Sequence, residues 1–366
     1  MINLRKKAFA KIITKLIEIK YNKTQYVPTG FSYLSFVKEH ENILNFFFRK
    51  KHLMFYFSLF PKLYLFLLGK NLKNSLDIFF YNNPFSYSKI EKIIEKPLLE
   101  KLIKLNIVSR KREKYKFNYS FIPFKEKIFV RDSYNNYSKW FDPVKLKDKV
   151  WMGADSIIFL KFLEKYLNKK KLNKVLELGS GSGIVINSIA NNFKNCEAVD
   201  INKRAIQLTQ INSYINKIKN VKCYKSNFFK KIKGNFDIII SNPWFVNLKK
   251  GGLEQVPKIV KHLDKKLKKN GKCLMILNSY FKDEKDTALI YFKNFLKEKK
   301  YDVSLFTNGY NLELERLKDF RKHNIEYCIS YNVIIDKNGS GILKRYEASY
   351  FRRLRDFTFI KLMKIL

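Results

Sequence analysis

From Ser156 onward, short apolar runs alternate with segments of helical periodicity, and this alternation constrains the fold more than any other feature. The runs KVLELGSG, CEAVD, VKCYKSNFF, FDIIISN and KCLMILNSY predict strands, and the segments from IIFLKFLEKYL to VPKIVKHLDKKLKKNG predict the helices around them. Such alternation builds a parallel sheet that is covered on both faces. We therefore expect a doubly wound, Rossmann-like α/β fold, with ligands at the carboxyl ends of the strands.

A turn rich in glycine follows the first of these strands, in the stretch VLELGSGSGIV. It contains Gly179, Gly181 and Gly183, which allow positive φ and let a ligand approach the backbone closely. Asp200 ends the next strand, where a carboxylate can accept hydrogen bonds from a ribose. The turn is also compatible with a tight connection that binds nothing. Because Ile184 stands where the dinucleotide fingerprint has its third glycine, a nucleotide-dependent oxidoreductase is a weaker interpretation.

A second polar group follows a buried strand in DIIISNPWF, residues 237–245. The strand ends at Ser241, and the chain continues with Asn242, Pro243, Trp244 and Phe245. An ordinary Asn-Pro turn is one interpretation of this stretch. Its position after the strand, however, places Asn242 at the carboxyl edge of the sheet, where the ligand of such a fold is bound.

These two stretches carry a resemblance to a known family. The spacing G-x-G-x-G preceded by Glu177 resembles the first motif of class I S-adenosylmethionine (SAM)-dependent methyltransferases. SNPWF resembles the N-P-P-[YFW] motif of the subgroup that methylates planar nitrogens, with Trp244 in place of the second Pro. That subgroup acts on glutamine amides of translation proteins or on nucleobase amines. The resemblance covers about residues 150–335 and implies a mostly parallel, seven-stranded methyltransferase sheet.

The resemblance implies roles for two sets of residues. The cofactor-binding set is Glu177, Gly179, Gly181, Gly183, Asp200, Asn227 and Phe228. The first four would surround the methionine part of SAM and Asp200 would hold the ribose. Asn227 would accept a hydrogen bond from the adenine amine, although the family usually has Asp there. Phe228 and Phe229 would pack on the adenine or belong to the core.

The catalytic set that the resemblance implies is Asn242, Pro243, Trp244 and Phe245. The side-chain oxygen of Asn242 and the carbonyl of Pro243 would accept the two N–H groups of the acceptor, so that its nitrogen lone pair faces the methyl group. Phe245 would stack on the planar acceptor, and Trp244 would reshape the pocket or reduce activity. Catalysis would then consist mainly of positioning, without a dedicated general base.

Three regions are expected along the chain. Residues 1–148 predict a mainly helical domain with a winged-helix-like end, because a helical pattern at residues 98–105 precedes a basic and aromatic hairpin pattern at residues 111–124. Residues 149–340 would be the catalytic domain, and residues 341–366 a basic aromatic extension. WMGADSIIFL resembles the entry helix of a methyltransferase group with such an N-terminal domain. Asp155 and Ser156 would line the cleft, or Asp155 would cap the helix.

Composition bears on partners and compartment. Lys and Arg number 74 against 32 acidic residues, a formal charge of +42, which favours nucleic acid or ribonucleoprotein but also arises from AT-rich coding. The four cysteines and four histidines lack ligand spacing, so we expect reduced thiols, no metal and a cytoplasmic location. No signal peptide is evident, and the apolar stretch at residues 53–68 is too short for a membrane span, so a buried helix pair is expected there.

The sequence thus predicts a SAM-dependent N-methyltransferase whose acceptor is a nucleobase amine or a glutamine amide of a translation protein. The high positive charge favours the nucleic acid. The departures at Asn227 and Trp244 leave a second possibility, a catalytically silent methyltransferase fold that binds RNA or a protein.

Overall fold

The computed structural model describes residues 2–23, 72, 74–80, 82–133, 149–150, 152–168, 170–243, 253–311 and 317–347. The chain divides into two compact units, which we call unit 1 (Met1–Ala154, Gly181–Asn187 and Asn202–Lys219) and unit 2 (Asp155–Ser180, Ser188–Ile201 and Asn220–Leu366). The helix pair predicted at residues 53–68, Trp244, Phe245 and most of the C-terminal extension lie outside the described residues.

Among the described residues, the N-terminal part of unit 1 includes two α-helices and two β-hairpins. These are α1 Ile2–Glu18, α2 Lys96–Lys104, β1 Val108–Lys111, β2 Lys114–Phe117, β3 Tyr119–Phe124 and β4 Lys127–Asp132. The strands β1 and β2 pair antiparallel, and so do β3 and β4. The single hairpin expected at residues 111–124 is therefore replaced by two, because Arg112 and then Lys125 and Glu126 adopt positive φ and turn the chain twice.

From Ala154 onward the described elements mostly alternate between strand and helix, as the sequence predicts. In order they are α3 Ala154–Leu167, β5 Leu172–Leu178, α4 Ile184–Ile189, β6 Phe193–Asp200, α5 Lys203–Ile215, β7 Val221–Lys225, β8 Phe236–Ser241, α6 Val256–Val260, α7 Leu263–Lys266, β9 Leu267–Lys282, β10 Lys285–Asp286, α8 Thr287–Glu298, β11 Asp302–Asn311, α9 Leu317–Lys322, β12 Ile325–Asp336 and β13 Leu343–Tyr346.

The core of unit 1 is aromatic. The apolar face of α1 buries Phe9, whose ring lies 5.1 Å from that of Tyr119 and 6.0 Å from that of Phe121. Both strands of the β3–β4 hairpin are almost wholly buried. Helix α5 also belongs to this unit, because Asn212 accepts a hydrogen bond from the backbone N–H of Val130 (2.7 Å) and donates to its carbonyl (2.8 Å). The amide of Asn212 thereby replaces the missing strand partner of this buried backbone.

Unit 2 is built on one sheet with the strand order β13-β11-β12-β9-β8-β5-β6-β7, to which β10 is added beside β9. The strands β5 to β9 pair in parallel, and β12 lies antiparallel between β9 and β11. The Rossmann-like prediction is confirmed. The number of strands is corrected from seven to nine, because β10 and the edge strand β13 join the sheet.

Helices lie on both faces of this sheet. Side chains of neighbouring strand residues point to opposite faces of the sheet. Leu305 and Phe306 of β11 therefore identify the helix that packs on each face. Leu305 belongs to the same buried cluster as Phe292 of α8, whereas the ring of Phe306 lies 5.4 Å from that of Phe162 on α3. The sheet of unit 2 is therefore covered on both sides by its own helices.

The predicted helix over VPKIVKHLDKKLKKNG is shorter in the structure. Helices α6 and α7 end at Lys266, and the chain from Leu267 is already strand β9. Leu267 is buried and pairs with Phe236. A Cβ added at Gly271 would lie 2.9 Å from the carbonyl oxygen of Phe236. This glycine therefore permits close packing of two strands and does not stop a helix.

A buried ion pair fixes α5 to β4 within unit 1. Asp132 is fully buried, and the Arg204 Nε atom lies 2.9 and 2.7 Å from its two oxygens. The backbone N–H of Val150 donates to the same carboxylate at 2.9 Å. Its partners among the described residues are all donors, so the charge and the acceptor geometry of this carboxylate are both required.

We predict that Asp132→Asn lowers the free energy of unfolding by about 2–3 kcal/mol, because the new amide nitrogen faces donors and leaves Arg204 half paired. Urea titration followed by circular dichroism measures this loss. The control is Asp283→Asn, since the side chain of Asp283 is 58% exposed and lies 3.8 Å from Lys282; we expect a change within about 0.5 kcal/mol. Equal losses for both variants would contradict the prediction.

Candidate functional site

The parallel pair β5 and β8 marks the point where the strand order reverses. The chain builds β5, β6 and β7 outward on one side and then returns to place β8 on the other side of β5. Leu178 pairs with Ser241 at the carboxyl ends, and the Ser241 hydroxyl donates to the Leu178 carbonyl at 3.0 Å. In open α/β sheets the ligand lies outside such a reversal. Besides Ser241, these two strand ends carry the polar side chains of Glu177, which is buried, and Asn242, which is half-buried.

The glycine turn begins directly after β5. Gly179, Gly181 and Gly183 all have positive φ, at +74°, +53° and +75°. The backbone N–H groups of Gly179 and Ser180 donate to the carbonyl of Val199 on β6, at 2.8 and 3.0 Å. These backbone hydrogen bonds fix the turn to β6. The glycines have the positive φ that the sequence predicts.

The three glycines differ in what surrounds them. A Cβ added at Gly179 would meet no atom of the described residues within 4 Å. A Cβ added at Gly183 would lie 2.7 to 2.9 Å from three atoms of Thr209 on α5. Gly183 is therefore required for packing inside unit 1, whereas Gly179 leaves open space of the kind a ligand can occupy.

The next strand end carries Asp200, which is half-buried. The carbonyl of Asp200 accepts a hydrogen bond from the N–H of Ser226 at 3.0 Å, so the chain after β7 is held beside it. Asn227 is exposed, and Phe228 is half-buried in a left-handed conformation with φ +45°. Ile201, which the sequence analysis did not single out, is 61% exposed directly after Asp200. An apolar side chain that protrudes beside a carboxylate suits a ligand with both a flat ring and hydroxyl groups.

At the end of β8, the side chain of Asn242 is held by two residues of α3. Its Nδ2 atom donates to the Asp155 Oδ2 atom at 2.5 Å and to the Ser156 Oγ atom at 3.2 Å. Pro243 is buried directly after it. With the amide nitrogen directed at α3, the amide oxygen is the acceptor that remains on the other side of this side chain.

The pKa of the Asp155 carboxyl, beside Asn242, is shifted by its surroundings. Burial raises the pKa of the Asp155 carboxyl, and the hydrogen bond from Asn242 opposes that rise. The thiol of Cys196, within β6, is not a candidate nucleophile. Burial, followed by the charge of Glu177, raises the pKa of the Cys196 thiol to about 12, so this thiol stays protonated and unreactive at neutral pH.

The structure thus brings together, within unit 2, three of the strand ends that the sequence predicts. Glu177 and Gly179 follow β5, Asp200 ends β6 and Asn242 follows β8. Trp244 and Phe245 lie outside the described residues. Among the described residues, no group of three or more His, Cys, Asp or Glu side chains could hold a metal ion, and no helix combines the length and apolar character needed to cross a membrane.

A family model described as "Methyltransferase small domain" matches residues 155–304. A Methanocaldococcus jannaschii relative, named as a putative protein N5-glutamine methyltransferase, is 32% identical over 162 residues, which is 39% of this chain and 79% of that relative. A Release factor glutamine methyltransferase from Fusobacterium nucleatum subsp. nucleatum is 34% identical over 110 residues, 29% of this chain and 31% of that protein. A solved ribosomal protein L11 methylase from Lactobacillus delbrueckii subsp. bulgaricus is 16% identical with a TM-score of 0.36, over 50% of this chain and 80% of that one.

The strand order and the reversal at β5 and β8 define a Rossmann-like α/β protein. The chain belongs to the methyltransferase small domain family, as the family model and the Methanocaldococcus jannaschii relative show. This confirms the predicted class I methyltransferase core. This chain spans about a third of the length of the release factor relative.

We predict that Gly183→Ala lowers the free energy of unfolding by about 2–4 kcal/mol, because strain at positive φ adds to a clash with Thr209. Gly179→Ala should cost about 1–2 kcal/mol, from backbone strain alone. Urea titrations of both variants check this difference. Since the two positions have nearly the same φ, Gly179→Ala serves as the control, and a larger loss for Gly179→Ala would contradict the assignment.

Proposed function

We propose that this chain is a SAM-dependent methyltransferase that transfers a methyl group to the side-chain amide of a glutamine in a translation protein. The observation that carries the proposal is the hydrogen bonding of Asn242. Its nitrogen donates to Asp155 and Ser156, so its oxygen and the Pro243 carbonyl are two acceptors at the end of β8. A primary amide has two N–H groups to match them.

The proposed SAM site uses the residues that the sequence predicts. Glu177 and Gly179 would hold the methionine part, while Gly181 and Gly183 would shape the turn. The carboxylate of Asp200 would accept hydrogen bonds from the ribose. The open space at Gly179 and the carboxylate at the end of β6 fit such a ligand. Asn227 and Phe228 would contact the adenine, and we add Ile201, whose exposed side chain suits an aromatic ring.

At the acceptor, the residues of this chain act by orientation. When bound, SAM would supply an electrophilic methyl group on a cationic sulfur. The broken C–S bond would leave its electron pair on sulfur, and the acceptor nitrogen would gain the methyl group and lose a proton to water. Asn242 and Pro243 would hold the two N–H groups so that the nitrogen lone pair faces the methyl group, a contribution of proximity and alignment. We propose stacking on the amide for Phe245 and a role in shaping the pocket for Trp244.

The acceptor class rests on the relatives and on the charge of the chain. The names of the relatives refer to glutamine, which favours the amide. The net charge of +42 favours a second candidate, a nucleobase amine in RNA or DNA, or an acceptor within a ribonucleoprotein. We also propose that α2 and the β1–β2 hairpin form a winged-helix-like module that positions the acceptor. We also propose a cytoplasmic location, which agrees with four cysteines that form no disulfide with one another.

Methyl-labelled SAM, incubated separately with release factors, ribosomal proteins, total RNA and DNA, tests the proposal. We expect label in protein, on a glutamine side chain identified by mass spectrometry. Label in nucleic acid alone would assign the second candidate. Binding of SAM without label in any fraction would assign the silent module, and absence of SAM binding by calorimetry would overturn the cofactor assignment.

We predict that Asp200→Asn raises the Kd for SAM about 10- to 100-fold, because a hydrogen bond to a charged group is replaced by one to a neutral amide. Isothermal titration calorimetry measures this change. Asp237→Asn is the matched control. Asp237 lies near the amino end of β8, whereas the proposed SAM site lies at the carboxyl ends of the strands. If both variants bind SAM as tightly as the wild type, Asp200 does not hold the ribose.

We predict that Asn242→Ala lowers kcat about 100-fold and changes the Kd for SAM less than threefold, because alignment of the acceptor is lost while the cofactor site is kept. Steady-state assays with labelled SAM and calorimetry separate the two effects. Asn235→Ala is the control, since Asn235 is exposed before β8 and donates only to the Lys265 carbonyl among the described residues. Full activity of Asn242→Ala would exclude this role.

A further inference from the structure

The hydrogen bonds of Asn242 raise a question about orientation. A carboxamide has two orientations related by a half-turn, which exchange its oxygen and its NH₂ group. Only one of them presents an acceptor to the substrate amide, and the other presents a donor to another donor. An enzyme that uses this side chain therefore needs a neighbour that selects the orientation.

Helix α3 provides two candidate neighbours. Asp155 Oδ2 lies 2.5 Å and Ser156 Oγ 3.2 Å from the Asn242 Nδ2 atom. A hydroxyl can donate or accept, so Ser156 tolerates both orientations of the amide. When ionised, the Asp155 carboxylate can only accept, and a reversed amide would bring its oxygen against the Asp155 oxygen. Asp155 is therefore the residue that selects one orientation.

The selecting group is held firmly. Asp155 stands in the first turn of α3, and its carboxyl also interacts with the backbone N–H groups of that turn. The helix itself is anchored by the buried side chains of Ile157, Leu160 and Leu163. Because a bond to a carboxylate is charge-assisted, it also draws electron density of the amide toward its oxygen and strengthens that oxygen as an acceptor.

We infer that Asp155 is a positioning residue for methyl transfer, which orients the Asn242 carboxamide with its oxygen toward the acceptor nitrogen; this rests on the proposed function. Asp155 does not touch the substrate itself. The capping role that the sequence left open is compatible with this one, and the two make different predictions for an isosteric change.

Asp155→Asn separates the two roles. Asn satisfies the first turn of a helix about as well as Asp, so loss of a cap alone predicts little change in any property. An Asn at position 155 can however meet Asn242 in either orientation, so selection is lost. We expect kcat to fall about 30- to 100-fold, with the Kd for SAM within twofold and the unfolding midpoint unchanged. Glu164→Gln removes one negative charge from the same helix and should match the wild type.

A spectroscopic readout tests the contact without any turnover. In protein labelled with ¹⁵N-asparagine, the side-chain amide signal of Asn242 is assigned by its loss in Asn242→Asp. We expect one of its protons to be shifted downfield by the carboxylate, to move upfield in Asp155→Asn, and to stay in place in Glu164→Gln. An unmoved signal in Asp155→Asn would overturn the inference.

The two measurements also distinguish the inference from the function on which it rests. An inactive wild type with a signal that moves in Asp155→Asn refutes the proposed function and keeps the orientation of Asn242 by Asp155. An active wild type with equal kcat in Asp155→Asn refutes the positioning role. A fall in kcat together with a large rise in the Kd for SAM would instead assign Asp155 to the cofactor site and overturn the inference.

Discussion

The parallel pairing of β5 with β8 is the contact on which the site depends. Val175 pairs with Ile238 and Leu178 with Ser241, so the two strands end at the same level. Their residues are 63 positions apart in the chain, yet this register places the glycine turn beside Asn242. A shift of one residue would turn Asn242 to the other face of the sheet, because side chains alternate along a strand. The hydrophobic interior of unit 2 therefore determines where the polar groups of the site lie.

Much of this could be predicted from local sequence patterns. The glycine turn, Asp200 and Asn242 each follow an apolar run, and the rule that polar residues after parallel strands meet at one edge is enough to group them. The contact between Asp155 and Asn242 is different, since it joins residues 87 positions apart. Asp155 also lies in the first turn of α3, where stabilisation of the helix N-terminus explains its presence equally well. The periodicity of the sequence cannot distinguish a helix cap from a contact with Asn242. The distance between the two side chains in the structure can.

The set of elements that make up unit 1 illustrates another limit of local sequence patterns. Helix α5 follows β6 in the chain as an ordinary crossover helix would, but it groups with the β3–β4 hairpin. Its contacts to Val130 and Asp132 are made by Asn212 and Arg204. Asparagine and arginine are also common on exposed helix faces, so the sequence does not reveal these contacts. The number of strands was underestimated for a similar reason. The four-residue β13 has no apolar run, and only its pairing with β11 identifies it.

The outer strands of the sheet, as the described residues build it, have a consequence for solubility. An edge strand offers unpaired backbone groups to any other chain, and such strands are common starting points of aggregation. Here one edge is β7, with Lys222 and Lys225 exposed, and the other is the short β13, with Lys344 exposed. A second strand that approached either edge would have to desolvate these ammonium groups. The lysine excess of this chain thus contributes to keeping separate copies of the sheet from joining.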